Sequence, residues 1–428
     1  MKLRLTIMNF LEFAVWGAYL TSMSRYLGGH GMGTRIGLFY AVQGFVSLFM
    51  PAIMGIVGDR WIPAQKLLGL CHALAGAAMI GVGVYGCQAG DAVQFSTFFS
   101  VYTLSVAFFM PTIALSYSVS FNALVKSGLD TVKAFPPIRV FGTVGFIVAM
   151  WAVDLAGLQK TSGQFIVSGG LGLVLALYSF TLPTCEIKRN ATAKSLVDAF
   201  GLRAFSLFKT KKMALFFFFS MCLGISLQIT NGFANVFLGC FGDIPEFADT
   251  FSVKHSNMLI SISQICEVLC ILLIPAAIRC FGIKKVMLMA MVAWVLRFAF
   301  FGLGDPGSGV WLFVLSCIVY GFAFDFFNIA GALYVDRETD GSLRNSAQGL
   351  FMMMTNGLGA TIGTLSAQAV VNHFVKFPRE NGATPLALWH GWQSSWYTFA
   401  AFALAVAFFF WIFFPNTGKP TEKGTATA

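Results

Sequence analysis

The sequence predicts an all-α polytopic membrane protein, and three observations carry this prediction: the composition, the long apolar stretches and the placement of the basic residues. Of the 428 residues, 57% are hydrophobic and 11% are charged, and the mean hydropathy is +0.76. Soluble globular domains carry about 25% charged residues, so most of this chain has no use for a surface in water. The composition therefore excludes a collagen, a coiled coil, a disordered chain and a secreted disulfide scaffold.

Twelve apolar stretches are long enough to cross a bilayer, which takes roughly 20 residues of helix. The first has no cleavage site of the signal-peptide type and is predicted to remain as a membrane helix. No polar connection is long enough for a soluble domain. The stretches cover residues 4–27, 35–58, 65–87, 93–120, 136–158, 163–182, 211–239, 253–279, 284–303, 309–334, 344–374 and 388–414.

The basic residues predict the orientation of these helices. If the N-terminus is cytoplasmic, the cytoplasmic segments hold twenty Lys and Arg residues and the opposite segments hold six, with two more inside apolar stretches. Cytoplasmic loops of membrane proteins carry an excess of Lys and Arg. The sequence therefore predicts that both termini are cytoplasmic.

The longest polar connection divides the chain into two sets of six stretches. We predict an N-terminal six-helix half at 1–182, a cytoplasmic linker at 183–210, a C-terminal six-helix half at 211–415 and a cytoplasmic tail at 416–428. Two halves around a central site are typical of one large class of secondary transporters. The segment Gly55–Arg60 resembles the short Gly…Asp-Arg loop of the major facilitator superfamily, although a tight turn with a capping Asp would also explain it.

Other functional classes find little support in the sequence. The net charge of +10 comes from short basic clusters between apolar stretches, not from a basic face, so no nucleic acid is expected as a partner. The nine Cys residues show no CxxC spacing and predict neither a disulfide nor a metal site. The chain lacks a GxxxxGK[ST] loop, which argues against a primary pump. Scattered His and Cys residues give no catalytic set, so we expect no enzyme.

Ionisable residues inside the apolar stretches are the first candidates for a functional site. An ionised side chain near the centre of a bilayer costs about 2.5–3.5 kcal/mol on insertion scales, so such residues should face the interior of the bundle. The set comprises Glu12, Arg139, Glu267, Arg297 and Asp325. Glu12 and Arg297 are the less informative members, because a structural role would explain either of them.

The fifth stretch carries Arg139, Thr143 and Phe146 at i, i+4 and i+7. Residues with this spacing share one face of a helix. Pro136 and Pro137 are typical of a helix start, which predicts that Arg139 lies about one turn inside the helix. An arginine that extends to the membrane interface is the alternative interpretation.

Two pairs of polar residues follow on consecutive stretches. Gln228 and Asn231 are three residues apart in the seventh stretch, and Gln264 and Glu267 repeat this spacing in the eighth. A single pair could serve as hydrogen bonding between helices, worth about 0.6–2 kcal/mol. Two pairs, one of them with a carboxylate, favour the lining of a polar cavity.

The tenth stretch contains Tyr320, Phe324 and Asp325, and Asp325 lies well over two turns from the next polar loop. A buried carboxylate either pairs with a cation or takes up a proton. Either property suits a group that carries a proton between two sides of a membrane. A structural salt bridge from Asp325 to Arg139 or Arg297 is the alternative.

The chemistry of this polar set predicts the kind of ligand. One guanidinium, several amides, two hydroxyls, two carboxylates and two phenyl rings suit a planar ligand with amide-like edges and a hydroxylated appendage, such as a nucleoside. A phosphorylated substrate would need more cations. A sugar would use many of the same groups and remains an alternative.

Several segments carry a resemblance to a known family. The chain resembles the nucleoside:proton symporter family of the major facilitator superfamily, over nearly its whole length except the last dozen or so residues. Glu12 stands where an uncharged residue is expected in the family, which leaves the proton stoichiometry open. The segments that carry the resemblance are 135–146, 226–231, 261–267, 319–329 and 346–357.

The resemblance implies a site and a mechanism. It implies that protons and nucleosides move together across a bacterial inner membrane, with no cofactor. The two-half architecture itself predicts alternating access around a midplane site, in a monomer. The resemblance also implies Asp325 as the leading proton-coupling group, with Glu267 closer to the substrate. A proton-coupled sugar transporter and a nucleoside sensor without flux are the alternatives. The nucleoside site implied by the resemblance comprises Arg139, Thr143, Phe146, Gln228, Asn231, Gln264, Glu267, Tyr320, Phe324 and Asp325.

Overall fold

The computed structural model of the chain describes residues 1–185, 202–339, 343–377 and 384–415, and the described residues form helices and no strand. Nine of the described helical segments are long and apolar enough to cross a membrane. This agrees with the prediction of an all-α polytopic membrane protein. Most of the predicted linker and the predicted tail at 416–428 lie outside the described residues.

The long helices run between two ends of one bundle. In the N-terminal half, which we define as residues 1–185, they are α1 (Lys2–Gly17), α2 (Met23–Gly29), α3 (Ile36–Arg60), α4 (Ala64–Ala89), α5 (Phe95–Lys126), α6 (Thr131–Leu155) and α7 (Gly163–Ser179). In the C-terminal half, from residue 202 onward, they are α8 (Lys211–Cys240), α9 (Phe251–Lys254), α10 (Ser256–Phe281), α11 (Ile283–Leu303), α12 (Val310–Glu338), α13 (Arg344–Met352), α14 (Ala360–Phe374) and α15 (Pro385–Phe413).

Three of the twelve predicted stretches differ from single long helices. The first is broken between Gly17 and Met23 into α1 and α2. The sixth holds only α7, which has 17 residues. The eleventh is interrupted by a π-helical segment, Met353–Gly359, between α13 and α14. The nine apolar helices correspond to the remaining nine stretches.

The expected position of Arg139 was wrong. Helix α6 begins at Thr131, and both Pro136 and Pro137 lie inside it, so Arg139 is more than two turns from the helix start. A proline lacks the N–H that would bond to the carbonyl four residues earlier. Here the carbonyls that lose a partner belong to the first turn of α6, next to the helix end, so the helix can start before the prolines.

Helices α1 and α6 cross closely because a glycine of each helix faces the backbone of the other helix. A Cβ atom added to Gly17 would meet the carbonyl oxygen of Phe146, and one added to Gly145 would meet the carbonyl oxygen of Phe10. Small residues at helix crossings let backbones approach in membrane proteins. The crossing fixes the face of α6 that carries Phe146 against α1.

We call the end of the bundle at which α1 begins and α15 ends the terminal end, and the opposite end the distal end. The terminal end is held within each half by contacts such as the hydrogen bond from Tyr178 to the carbonyl of Arg4, at 3.2 Å, and the ion pair between Lys212 and Glu338, at 2.7 Å. The contacts between the two halves lie elsewhere, at the distal end and toward the middle of the bundle.

Candidate substrate and proton site

A small cavity of about 10 Å³ lies between the two halves. Typical small-molecule sites measure roughly 300–1,000 Å³, so the walls must move before a ligand of nucleoside size can enter. Most of the lining side chains are polar and belong to α8, α10, α11 and α12. They are Thr230, Asn231, Asn235, Ile260, Gln264, Arg297 and Tyr320, with Thr21 from the N-terminal half.

Three residues predicted from the sequence line this cavity: Asn231, Gln264 and Tyr320. Gln228 lies one turn before Asn231 on α8, and its Oε1 accepts a hydrogen bond from Asn231 Nδ2 at 3.4 Å. The ring of Phe324 stacks on that of Tyr320, with 5.7 Å between ring centroids. The amides and aromatic rings of the C-terminal half therefore form one continuous polar and aromatic surface.

The two predicted carboxyl groups of the C-terminal half lie close enough to interact electrostatically. Asp325 is 5% exposed. Glu267 lies one turn after Gln264 on α10 and interacts electrostatically with Asp325. Tyr320 interacts electrostatically with both carboxyl groups. Two like charges buried together are costly, so this pair is suited to holding a proton.

The predicted residues of α6 do not line the cavity in this structure. Arg139 Nε donates to the hydroxyl of Tyr117 at 2.7 Å, and its guanidinium carbon lies 4.0 Å from the ring centroid of Phe13. Phe146 packs edge-on against Trp16 at 6.3 Å. Thr143 lies one turn after Arg139 and is half-buried. Arg139 still acts electrostatically on Glu267 across the two halves.

Arg297 is a cavity residue to which the sequence analysis gave little weight. Its Nη1 donates to the carbonyl of Ser316 at 2.7 Å and to Ser263 Oγ at 3.3 Å, and its guanidinium carbon lies 4.5 Å from the Tyr320 ring centroid. Within the described residues, neither Arg297 nor Arg139 forms an ion pair with Asp325. The structural salt bridge considered for Asp325 is therefore absent from this part of the chain.

Three buried polar atoms on helices that line the cavity have no hydrogen-bond partner: Gln264 Oε1, Arg297 Nε and Asp325 Oδ2. Buried polar groups in folded proteins are nearly always paired. Unpaired atoms on facing helices around one cavity indicate groups that are satisfied by a ligand, by a proton or by water.

Sequence reasoning also missed Thr21, Thr230 and Asn235. Asn235 follows Asn231 by four residues, so it extends the face of α8 that Gln228 and Asn231 had already defined, and that spacing could have revealed it. Thr21 had no such signal, because it lies in the break between α1 and α2, where a continuous helix was predicted.

The two halves meet at the distal end through hydrogen bonds. The carboxylate of Asp154, at the end of α6, accepts from His255 Nδ1 at 2.7 Å and from the backbone N–H of Met258, in the first turn of α10, at 3.1 Å. Arg25 Nη1, on α2, donates to the carbonyl of Val253 and to Ser256 Oγ, both at 2.9 Å. These contacts close the distal end above the cavity.

Amide side chains extend this closure. Ser256 Oγ donates to Gln159 Oε1 at 2.7 Å. On another side of the bundle, Gln368 of α14 accepts from the backbone N–H of Gly37 at 2.5 Å and donates to the carbonyl of Gly33 at 3.1 Å. Among the described residues, no group of three or more His, Cys, Asp or Glu could hold a metal ion.

Comparison with known proteins agrees with this fold and site. A family model described as "Nucleoside H+ symporter" matches residues 1–419. The chain is 46% identical to the xanthosine permease of Escherichia coli (strain K12) over 423 residues, which cover 98% of this chain and 97% of that protein. It is 40% identical to the nucleoside permease NupG of the same strain over 430 residues, which cover 100% of this chain and 99% of that protein.

The fold is shared with solved transporter structures. The crystal structure of the nucleoside transporter NupG superposes with a TM-score of 0.87 at 40% identity and covers 97% of this chain and 99% of that one. A bacterial homologue of the human lysosomal transporter Spinster, in an inward-facing and unoccupied conformation, gives a TM-score of 0.66 at 14% identity, with 96% of each chain covered. At that identity, the likeness concerns the fold alone.

The helical bundle with a polar site between two halves is that of a membrane transporter of the major facilitator type. The chain belongs to the nucleoside H+ symporter family. The family assignment confirms the resemblance seen in the sequence. It also confirms that the protein is a transporter of the inner membrane and not an enzyme.

Proposed function

We propose that this transporter imports nucleosides together with protons, by alternating access of two six-helix halves around the cavity described above. The observation that carries the proposal is the set of unpaired buried atoms of Gln264 and Arg297, which line that cavity, together with the unpaired carboxyl oxygen of Asp325 on α12, the helix of the lining residue Tyr320. The names of the related xanthosine permease and of the nucleoside permease NupG support a nucleoside as the substrate.

Twelve membrane crossings, with both termini in the cytoplasm, complete the proposed architecture. The broken first stretch, α7, and the stretch with α13 and α14 would provide the three crossings that are not long single helices. The linker at 183–210 and the tail at 416–428 would then be cytoplasmic. With this orientation the distal end faces outward, so its closure by Asp154 and Arg25 corresponds to an inward-facing state.

The ten residues predicted from the sequence form the proposed nucleoside site. The cavity wall of α8, α10 and α12 supplies amides and aromatic rings for the base and the sugar. Arg139, Thr143 and Phe146 would join this wall when the two halves rock toward each other, because Arg139 already interacts with Glu267 across the gap. The protein would act as a monomer and use no cofactor.

Asp325 is the proposed proton-coupling group, with Glu267 nearer to the substrate. Sealing an ionised Asp325 away from water is costly, so a proton on Asp325 favours closure of the site. Release of the proton and the nucleoside on the cytoplasmic side then allows the transporter to reset. The coupling arises because the two conformations differ in affinity for the proton and the substrate.

Uptake of radiolabelled uridine or xanthosine into proteoliposomes, with and without an inward proton gradient, tests this function. We expect the gradient to drive accumulation in the wild type, and unlabelled nucleosides to suppress it. Asp325→Asn should abolish accumulation and retain exchange. Asp305→Asn is the matched control, because Asp305 accepts hydrogen bonds from Gly307 and Gly309 within a loop and lies outside the cavity.

Accumulation that survives Asp325→Asn would show that another group couples the proton. Two alternative functions give different results in the same vesicles. A sugar transporter would be inhibited by sugars and not by nucleosides, and a sensor would bind nucleosides without any flux.

A further inference from the structure

Arg297 is a buried cation in the wall of the cavity and has no carboxylate partner. The residue is 2% exposed and lines the cavity. Among the described residues it takes part in no ion pair, and the groups that act on it electrostatically, Cys317 and Tyr320, are not carboxyl groups. A buried charge without an opposite charge is costly, so this cost indicates a role that a neutral side chain could not fill.

The contacts of Arg297 fix the direction of its guanidinium. Nη1 donates to the carbonyl of Ser316 at 2.7 Å and to Ser263 Oγ at 3.3 Å, and the guanidinium carbon lies 4.5 Å from the ring centroid of Tyr320. Because the guanidinium is planar and its donors form a rigid fork, these contacts leave it little freedom. The buried Nε–H has no partner. Arg297 therefore holds an unused donor in a fixed position at the cavity.

Gln264 provides an unused acceptor in the same wall. It follows Ser263 on α10 and lines the cavity, and its buried Oε1 has no partner. The cavity measures about 10 Å³, which is about the space that one water molecule needs, so Gln264 and Arg297 border the same small volume. Together they offer a ligand one N–H donor beside one acceptor oxygen.

The two side chains differ in the polarity that they can present. An amide carries both an acceptor and donors, so Gln264 can turn its oxygen or its NH₂ group toward a ligand. A guanidinium has donors only. An amino group on a ligand is also a donor and cannot satisfy Arg297, whereas a carbonyl oxygen can. The polarity of the ligand edge is therefore set by Arg297, and Gln264 adapts to it.

We propose that Arg297 determines the base specificity of the site: its guanidinium donates to a carbonyl oxygen of the base, and the ring N–H beside that oxygen donates to Gln264. Uridine and inosine have such an edge. Cytidine and adenosine have an amino group in place of that oxygen and a bare nitrogen in place of the ring N–H, so donors would face the donors of Arg297. This inference rests on the proposed transport of nucleosides through the same cavity.

Two matched pairs of nucleosides test the inference, because the members of each pair differ only at this edge: inosine with adenosine, and uridine with cytidine. Calorimetry on the purified protein measures the Kd of each, and competition with radiolabelled uridine uptake measures their relative affinity during transport. We expect the wild type to favour inosine over adenosine and uridine over cytidine by about 5- to 150-fold, the range of discrimination for one good contact between a side chain and a base.

Two variants separate donor polarity from the other properties of Arg297. Arg297→Gln can present either polarity, so both preferences should fall toward a ratio of one. Arg297→Lys keeps a side chain with donors only, so it should retain the direction of both preferences with weaker binding of all four nucleosides. Arg4→Gln is the control, because Arg4 donates to the carbonyl of Thr181 at the terminal end, and its ratios should equal those of the wild type.

A purely structural role of Arg297 predicts a different result, since loss of its bonds to Ser316 and Ser263 would weaken all four nucleosides equally and leave the ratios unchanged. The inference is overturned if Arg297→Gln keeps the wild-type ratios, if Arg297→Lys loses them, or if the wild type shows no preference or the opposite one. If Arg297→Gln does not fold, the wild-type ratios and Arg297→Lys still decide.

Failure of the proposed function would be distinguishable in the same experiment. A wild type that neither binds nor takes up any of the four nucleosides would refute the proposed function, and the inference with it. A wild type that takes up all four without preference would overturn the role of Arg297 alone.

Discussion

The carboxylate of Asp154 reaches from α6 of the N-terminal half to the first turn of α10 in the C-terminal half, so its replacement by asparagine tests how the distal end is closed. The side chain accepts from His255 Nδ1 at 2.7 Å and from the Met258 N–H at 3.1 Å. Asparagine has nearly the same shape, but it is neutral and keeps only one acceptor oxygen.

The expected magnitude follows from these two bonds. A hydrogen bond to a charged group contributes about 1.5–3 kcal/mol, and a neutral one about 0.5–1.5 kcal/mol. Asp154→Asn loses one bond to a charged group and turns the other into a neutral one, so it should weaken the closed distal end by about 2.5–4.5 kcal/mol, which is about a 70- to 2,000-fold shift toward the open state.

Amide hydrogen exchange measures this shift directly, because Met258 N–H is one of the affected donors. We expect faster exchange in the peptides that contain the first turn of α10 and the end of α6, by the same factor, since exchange of a protected amide follows the free energy of local opening. Asp305→Asn, which removes a loop carboxylate within one half, should accelerate exchange only in its own loop.

Unchanged protection around Met258 in Asp154→Asn would refute the reasoning. It would mean that the remaining contacts, such as those of Arg25, close the distal end without the carboxylate. Equal acceleration in both variants would show a general loss of stability and would also contradict the proposed closure.

Three further predictions concern packing, closure and charge. Gly145→Ala should destabilise the protein by about 1–3 kcal/mol, because the added methyl group overpacks the α1–α6 crossing. Gly170→Ala is the control, since nothing lies within 4 Å of the added atom, and it should be neutral or stabilising by up to about 1 kcal/mol. Thermal melts of the two variants measure the difference. Gln368→Ala should accelerate amide exchange of residues 33–37, because it removes the acceptor of the Gly37 N–H, and unaltered exchange there would contradict this. The hydrogen bond and charge of Lys254 hold the pKa of Asp249 below its ordinary value, so the small contribution of this exposed pair is present above about pH 3.9 and is lost as the pH falls. Asp249→Asn should therefore lower the melting temperature slightly at pH 7 and leave it unchanged at low pH, as thermal melts at the two pH values would show.

The helices were largely predictable because a bilayer imposes a simple length and composition rule on each crossing. Nine predicted stretches correspond to long apolar helices. The breaks were not predictable in the same way. The π-helical segment Met353–Gly359 shifts the phase of α14 relative to α13 and packs closely on α8, where a Cβ atom on Gly224 would meet the carbonyl of Thr355.

The site was partly predictable for a related reason. Charges and amides are expensive in lipid, so Asn231, Gln264 and Asp325 stood out in an apolar sequence. Thr21 did not, since a hydroxyl in a predicted helix can bond to its own backbone and carries no signal; in the structure it lies in the break after α1 and donates to Asn257 Oδ1 at 3.1 Å. The buried contact between His72 Nε2 and Glu12 Oε2, at 2.8 Å, was also hidden, because His72 becomes informative only when the fold brings α4 against α1.

The polar character of the distal contacts has a consequence for temperature. Asp154, Gln159 and Gln368 join the halves through hydrogen bonds, so their separation exposes polar surface that partly offsets the apolar surface of Phe377 and Val236 on the same interface. Heat capacity rises on exposure of apolar surface and falls slightly on exposure of polar surface. Opening of this end should therefore have a small heat-capacity change, so that the balance between its open and closed states follows a nearly straight van 't Hoff line as the temperature changes.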